Sequence, residues 1–322
     1  MMRVFVILLV SIVIPFTHST AKAEEATNQK AVLITGASSG LGRAMAEMMA
    51  SRGYFVYAGA RKDEDMQELN AIKNMRAVRL DVTKQEQIDA AVKTISDAGR
   101  GLYGLVNNAG VAVLMPLVEI DEDDFHFQMN VNVYGPYRLT RAFAPLLIES
   151  KGRISTVGSI AGTLSSATWG PYSMSKHAME AFSDALADEM KRYDVKVSLI
   201  EPGTYQSKIG TSAVNRMKQR EQQYDNSDFK AEMDEGVEFL TTMLARSGDP
   251  SEVAETVMHA MFDENPKPRY MIVPNQEQAH WTINRAIERL VEQNNDQKFS
   301  YSREELIGML DQAMAKPSQQ SR

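Results

Sequence analysis

Tyr172 and Lys176 stand one helical turn apart at the head of a long helical pattern, in Pro171-Tyr172-Ser173-Met174-Ser175-Lys176. At that spacing both side chains project from one helix face. An ammonium fixed beside a phenol stabilises the phenolate and draws its pKa down from about 10, as a general acid or base requires. The same pair also arises on ordinary solvated helix faces, so its meaning depends on its company. Ser159 lies upstream, Asn132 further back, and a glycine-rich run, Thr35-Gly36-Ala37-Ser38-Ser39-Gly40-Leu41-Gly42, near the start. Ser159 has no histidine at a hydrolase spacing, which argues against a serine nucleophile and leaves a hydrogen-bonding hydroxyl or a simple turn residue.

The elements that would position these residues can be read along the chain. Ala31-Val32-Leu33-Ile34 is wholly apolar and suits a strand buried on both faces of a parallel sheet. The glycines that follow lead into a helix-forming series over 43–50, an arrangement that brings backbone close to a pyrophosphate at a helix N-terminus. Further strands are predicted at 54–59, 77–82, 102–106, 153–157, 195–200 and 270–273, with Thr83 as the N-cap of the helix after the third. Helices are expected over 136–149, 172–193 and 251–262. In 172–193 an apolar stripe of Ala178, Ala181, Phe182, Ala185, Leu186 and Met190 is expected to face the core. Asn132, between two valines, is expected in the interior with its amide paired. Strand and helix alternate, so the fold class is α/β: a Rossmann-type doubly wound parallel sheet of about seven strands with helices on both faces. Ligands of such sheets bind at the carboxyl ends of the strands.

At the end of the second strand, where an acidic residue would meet the ribose of NAD, the chain has Ala60 followed by Arg61 and Lys62. Cations there suit a 2′-phosphate, so NADP is expected in preference to NAD. Residues 204–247 are polar and poor in early periodicity, and are expected to form a substrate lid. Two amphipathic patterns, 276–293 and 302–315, form a tail packed on the domain or on a partner subunit.

The chain has 322 residues, 43% apolar and 24% charged, which suits one generous α/β domain, assigned to 31–275. Its formal charge is −7 with no basic block, so nucleic acid is not an expected partner. There is no cysteine, which excludes disulfides, thiolate catalysis and cysteine-bound metal. Residues 1–23 read as a secretory leader: Arg3, an apolar run from Val4 to Phe16 broken by Ser11 and Pro15, then Ala21-Lys22-Ala23 before a polar linker over 24–30. The expected location is an exported compartment, a periplasm or an endoplasmic lumen, with a retained membrane anchor as the alternative.

Together these residues resemble the short-chain dehydrogenase/reductase family over roughly 31–273. The resemblance rests on Thr35-Gly36-x-x-x-Gly40-x-Gly42, Asp81, Asn108-Ala109-Gly110, Asn132, Ser159, Tyr172-x-x-x-Lys176 and Pro202-Gly203. The segment Tyr57-Ala58-Gly59-Ala60-Arg61 and the C-terminal part look similar to the branch handling steroids, retinoids and related lipophilic alcohols. The resemblance implies that Gly36, Ser38, Ser39, Gly40 and Leu41 wrap the pyrophosphate, that Asp81 and Val82 meet the adenine, and that Asn108 and Ala109 line the adenosine half. It implies that Tyr172 exchanges a proton with the substrate oxygen and Ser159 hydrogen-bonds that oxygen. Lys176 holds the nicotinamide ribose, and Asn132 anchors a relay water. Pro202, Gly203 and Ser207 would meet the nicotinamide. Family members form homodimers and homotetramers through two long helices, here 136–149 and 171–193. One departure is Thr204-Tyr205-Gln206-Ser207, which sets Tyr205 beside the nicotinamide where the family has a branched aliphatic residue. The expected activity is interconversion of a secondary alcohol and a carbonyl on a small lipophilic molecule. The alternatives are a catalytically silent nucleotide-binding or scaffolding protein and an NAD-dependent 3-hydroxy acid dehydrogenase.

Overall fold

Strand β1 (Ala31–Ile34) is buried along its whole length, and it lies inside a seven-stranded sheet, third in the order β3-β2-β1-β4-β5-β6-β7. The computed structural model describes residues 29–219 and 224–315, so the leader, its Ala23 cleavage pattern and the retained-anchor alternative lie outside the described residues. The other strands are β2 (Phe55–Ala60), β3 (Met75–Arg79), β4 (Gly104–Asn107), β5 (Arg153–Val157), β6 (Lys196–Pro202) and β7 (Arg269–Ile272), and every pairing is parallel. Parallel strands need crossovers, and the helices that supply them cover both faces. On one face α1 (Gly40–Ser51) and α9 (Pro250–Phe262) bury Met45, Met49, Val257 and Met261 against the sheet. On the other, α3 (Gln85–Asp97), α5 (Gly135–Glu149) and α6 (Gly170–Lys191) bury Ile88, Phe143, Leu186 and Met190. Between β2 and β3 lies α2 (Asp63–Asn70).

Two local expectations are corrected. Thr83 is not the cap of α3; the N-cap is Lys84. The Thr83 amide and hydroxyl are instead donated to Asp81 Oδ1, at 2.9 and 2.7 Å, so the hydroxyl that would have capped the helix closes a turn before it. On α6 the inward face is not the predicted alanine stripe. Leu186 and Met190 are buried, but Ala181 and Ala185 are exposed, and Ser173, Ser175, Lys176, Met179 and Ser183 take the inner positions. Ser175 and Lys176 can hold two of those positions because their side chains have partners in the site, which a hydrophobic pattern does not register.

The excursion after β6 is helical: α7 (Lys208–Gln219) and α8 (Lys230–Ala245) bury Ala213, Val214, Met217, Met233 and Leu240 against the loop at 112–115. Between β4 and α5 the chain runs through α4 (Glu122–Met129) and one π-helical stretch, Asn130–Tyr134. The tail is α10 (Gln276–Asn294) and α11 (Arg303–Ala315). Helix α10 packs on the domain: Gln278 is 1% exposed and accepts from the Thr204 amide at 2.9 Å, and Arg289 meets His177 of α6 at 2.9 Å. No residue of α11 is buried. Among the described residues no helix is long and apolar enough to cross a membrane.

Candidate active site

A cavity of about 1170 Å³ opens at the carboxyl ends of β1, β2, β4, β5 and β6. Its nucleotide half starts at the turn after β1. Gly36 and Gly40 have φ of +65° and +54°, and a Cβ on Gly42 would lie 2.2 Å from the Gly36 carbonyl oxygen and 2.5 Å from Asn108 Nδ2. Helix α1 can therefore approach the turn this closely only with glycine at 42. Thr35 Oγ1 accepts from the amides of Asn108 and Ala109, both at 2.9 Å, and Asn108 Nδ2 donates to the Thr35 carbonyl at 2.7 Å. These bonds lock the ends of β1 and β4 together. Ser39 is the N-cap of α1, makes no side-chain capping bond, and no acid stands in the first turn. The first-turn amides, with Ser38, Ser39, Gly40 and Leu41 on the cavity wall, are thus left for an anion.

At the end of β2, Arg61 and Lys62 are exposed at the cavity, and Arg61 has no ion-pair partner among the described residues. Arg79 donates to the Arg61 carbonyl at 2.6 Å and pairs with Asp63, which leaves the Arg61 guanidinium clear. Asp81 and Val82 line the wall beneath. Burial pushes the Asp81 carboxyl up, but hydrogen bonds from Thr83 and the charges of Arg61 and Lys84 prevail and hold it below its usual range.

The chemical half brings together the ends of β5 and β6 and the first turn of α6. Ser159 follows β5, accepts from the Ala161 amide at 3.1 Å and donates to the Pro202 carbonyl at 3.5 Å, and its hydroxyl lies near enough to the Tyr172 hydroxyl to favour the phenolate. Lys176 is 6% exposed; its Nζ donates to the Val157 carbonyl at 2.9 Å and lies 5.7 Å from the Tyr172 ring centroid. The expected effect on the phenol is corrected here. Burial pushes the Tyr172 pKa up, and the Ser159 hydroxyl only partly offsets it. Lys176 is itself pushed down to about 8 by burial, with Glu180 one turn further on opposing the shift. Its ammonium is held on the Val157 carbonyl, and burial, not the lysine, sets the direction of the phenol's shift. Pro202, Gly203 and Ser207 line the adjacent wall. Tyr205 borders the cavity but does not offer a hydroxyl there. It is 3% exposed, its ring fills the space beside Gly248, and its hydroxyl donates to Glu252 at 3.0 Å. A bridge between Tyr205 and Gly248 fixes that orientation.

Asn132 does not line the cavity; it sits behind it, 3% exposed. Its Oδ1 accepts from the Val111 amide at 2.9 Å, and its Nδ2 donates to the Val111 carbonyl at 2.9 Å and to Ser175 Oγ at 3.0 Å. Gln128, one turn earlier, accepts from the Val113 amide at 2.7 Å and donates to the Val111 carbonyl and Ser175 Oγ at 3.1 and 3.3 Å. Ser175 Oγ donates to the Tyr172 carbonyl at 2.7 Å. Sequence reading passed over Gln128 and Ser175, although Gln128 stands at i−4 from Asn132 and Ser175 at i+3 from Tyr172, both same-face spacings.

The structure defines a nicotinamide-nucleotide-dependent oxidoreductase: an all-parallel sheet in this order, a glycine turn opening α1, and a serine, a tyrosine and a lysine converging at the strand ends. The chain belongs to the short-chain dehydrogenase/reductase family, whose sequence pattern, described as short chain dehydrogenase, matches residues 30–218. It is similar to the mitochondrial D-beta-hydroxybutyrate dehydrogenase of Mus musculus, 32% identical over 276 residues that cover 80% of each chain. It is also 34% identical to the NADPH-dependent 3-dehydrocapnine reductase of Ornithobacterium rhinotracheale, over 75% of this chain and 87% of that one. A short-chain dehydrogenase/reductase from Burkholderia phymatum, solved in complex with NAD, superposes with a TM-score of 0.70 at 25% identity, covering 86% of this chain and 99% of that one.

Proposed function

We propose that the protein is an NADP-dependent oxidoreductase that interconverts a secondary alcohol and a carbonyl on a lipophilic substrate, with Tyr172 as its acid and base. The observation that carries this reading is the Ser159 and Tyr172 hydroxyl pair beside Lys176, facing the same cavity as the glycine turn. When bound, the nicotinamide supplies or takes the hydride. The residues fit such a cofactor. Uncapped amides of α1 would receive the pyrophosphate, Arg61 with Lys62 the 2′-phosphate, and Asp81, Val82, Asn108 and Ala109 the adenosine.

Ser159 would donate to the substrate oxygen as charge develops on it, and Tyr172 would exchange the proton. A phenol raised by burial keeps its proton at neutral pH, which suits donation to a carbonyl and so the reductive direction. Lys176, with a pKa near 8, would orient the nicotinamide ribose and hand protons onward. Asn132, Gln128 and Ser175 hold the Tyr172 turn from behind. Leu114, Trp169, Phe239, Leu240, Met243 and Trp281 give the lid end of the cavity an apolar wall, which supports a lipophilic substrate and a lid role for 204–247. The exposed Tyr134, Tyr137, Met174 and Ala181, on and beside α5 and α6, support a homo-oligomer formed through those helices. The leader reading adds an exported location.

The test follows absorbance of the reduced nicotinamide while purified protein meets NADPH or NADH and a panel of ketones. Turnover with NADPH preferred is the expected result. Tight nucleotide binding without turnover of any carbonyl would favour the silent scaffold instead.

A further inference from the structure

The lid end of the cavity holds a cation that the chemistry above does not use. Arg216 of α7 lines the cavity and is half-buried. Its Nη1 donates to the Ala112 carbonyl at 2.7 Å, and its guanidinium carbon lies 5.5 Å from the centroid of the Phe127 ring. No carboxylate among the described residues forms an ion pair with it, and burial lowers its pKa. A guanidinium stays protonated under such a shift.

The neighbouring charges do not neutralise it. Glu232 and Glu235 of α8 line the cavity but are exposed at its rim. Arg285 of α10, the other arginine on this side, is already paired with Glu288 and Glu292. Beside Arg216 the wall is apolar, with Ala112, Ala213 and Phe127 on the cavity. Holding a cation that no carboxylate of the described residues pairs with is costly in such surroundings, and a methionine could cover Phe127 without that cost. One donor is spent on Ala112, which fixes the fork and leaves further N–H groups for two oxygens of one ligand.

We infer that this cavity takes a substrate with a lipophilic body and an anionic head, a carboxylate or a sulfonate, whose charge pairs with Arg216 while its carbonyl meets Ser159 and Tyr172. The inference rests on the alcohol and carbonyl reading above and narrows its substrate class.

The chain has two tryptophans, Trp169 and Trp281, and both line the cavity, so intrinsic fluorescence reports occupancy without turnover. Full-length protein and its Arg216→Met and Arg216→Lys variants are titrated near neutral pH with octanoate, octanesulfonate, and the neutral methyl heptanoate and 2-octanone. At least one anion should bind native protein about tenfold or more tighter than the neutral ligands, as a charge-assisted pair provides. Arg216→Met should bring that anion to the level of the neutral ligands and leave those unchanged, and Arg216→Lys should keep part of the preference. The stronger of the two anions identifies the head group. Equal binding of anion and neutral ligand by native protein, no saturable change with any ligand, a preference that survives Arg216→Met, or equal weakening of every ligand in that variant would each overturn the inference. Absence of turnover on every carbonyl would defeat the proposed reaction, yet the titration would still decide the subsite.

Discussion

Replacing Ser175 with alanine removes one oxygen and should cost more than its size suggests. Ser175 is 0% exposed, donates to the Tyr172 carbonyl at 2.7 Å and accepts from Asn132 at 3.0 Å and Gln128 at 3.3 Å. The Val111 carbonyl already takes one hydrogen from each of those amides, so no second acceptor stands ready. Ser175→Ala therefore leaves two buried N–H donors short, each worth about 1–3 kcal/mol, with the longer bond contributing less. The expected loss is about 2–4 kcal/mol, or roughly 5–12 °C in melting temperature. Because the same hydroxyl ties down the turn that carries Tyr172, kcat should fall by about tenfold while nucleotide affinity holds. Ser183 supplies the control: it lies two turns further along α6, is 4% exposed, and its hydroxyl has no partner among the described residues. Ser183→Ala should be neutral or stabilising. Denaturant melts and steady-state rates on the two variants form the assay. A Ser175→Ala loss below about 0.5 kcal/mol, or one equal to that of Ser183→Ala, would refute the reasoning.

Three further perturbations follow from the site and its surroundings. Arg61→Ala should cut the preference for NADPH over NADH by about tenfold or more, because the 2′-phosphate loses a charge-assisted partner; unchanged selectivity in binding titrations would defeat the NADP assignment. Glu201, 5% exposed, is pushed up to about 8 by burial and by Glu180 and Asp184, against the pull of Arg269. Its folded pKa exceeds the usual 4.5, so the protein takes up a proton on folding and loses stability as pH rises from about 5 to 8. Glu201→Gln should remove a slope totalling about 2–4 kcal/mol across that window, read by melts at each pH, and an unchanged slope would contradict the assignment. Lys176 adds the opposite slope only above about 8. Gly42→Ala should weaken NADPH binding and destabilise the fold by about 1–3 kcal/mol, since its Cβ would meet the Gly36 carbonyl at 2.2 Å and backbone cannot yield as a side chain does. A variant with native affinity and melting point would show that the turn relaxes.

The parts of the fold that could be read from the sequence are those where one residue type answers one local demand. Ala31–Ile34 is apolar throughout because both its faces are covered, and glycines mark the turn because φ there is positive or helix and turn touch. The parts that could not be read are those where a polar side chain finds its partner far along the chain. Ser175 meets residues 128 and 132, so a helix face that looks half-polar is buried, while Ala181 and Ala185 remain outside. Thr83 resembles a cap until Asp81 claims its hydroxyl. Tyr205 is drawn into the core by Glu252, 47 residues on. The tuning of Tyr172 depends on how fully its hydroxyl is enclosed, which residue spacing does not encode.

The central claim is that the Tyr172 hydroxyl is the proton partner of the substrate oxygen. Single-turnover oxidation of bound NADPH by a ketone, compared between native protein and Tyr172→Phe with nucleotide affinity measured in parallel, tests it most directly. The account predicts that Tyr172→Phe binds NADPH about as tightly as native protein and transfers hydride slower by about a hundredfold or more. Transfer at close to the native rate, with the nucleotide bound, would contradict it.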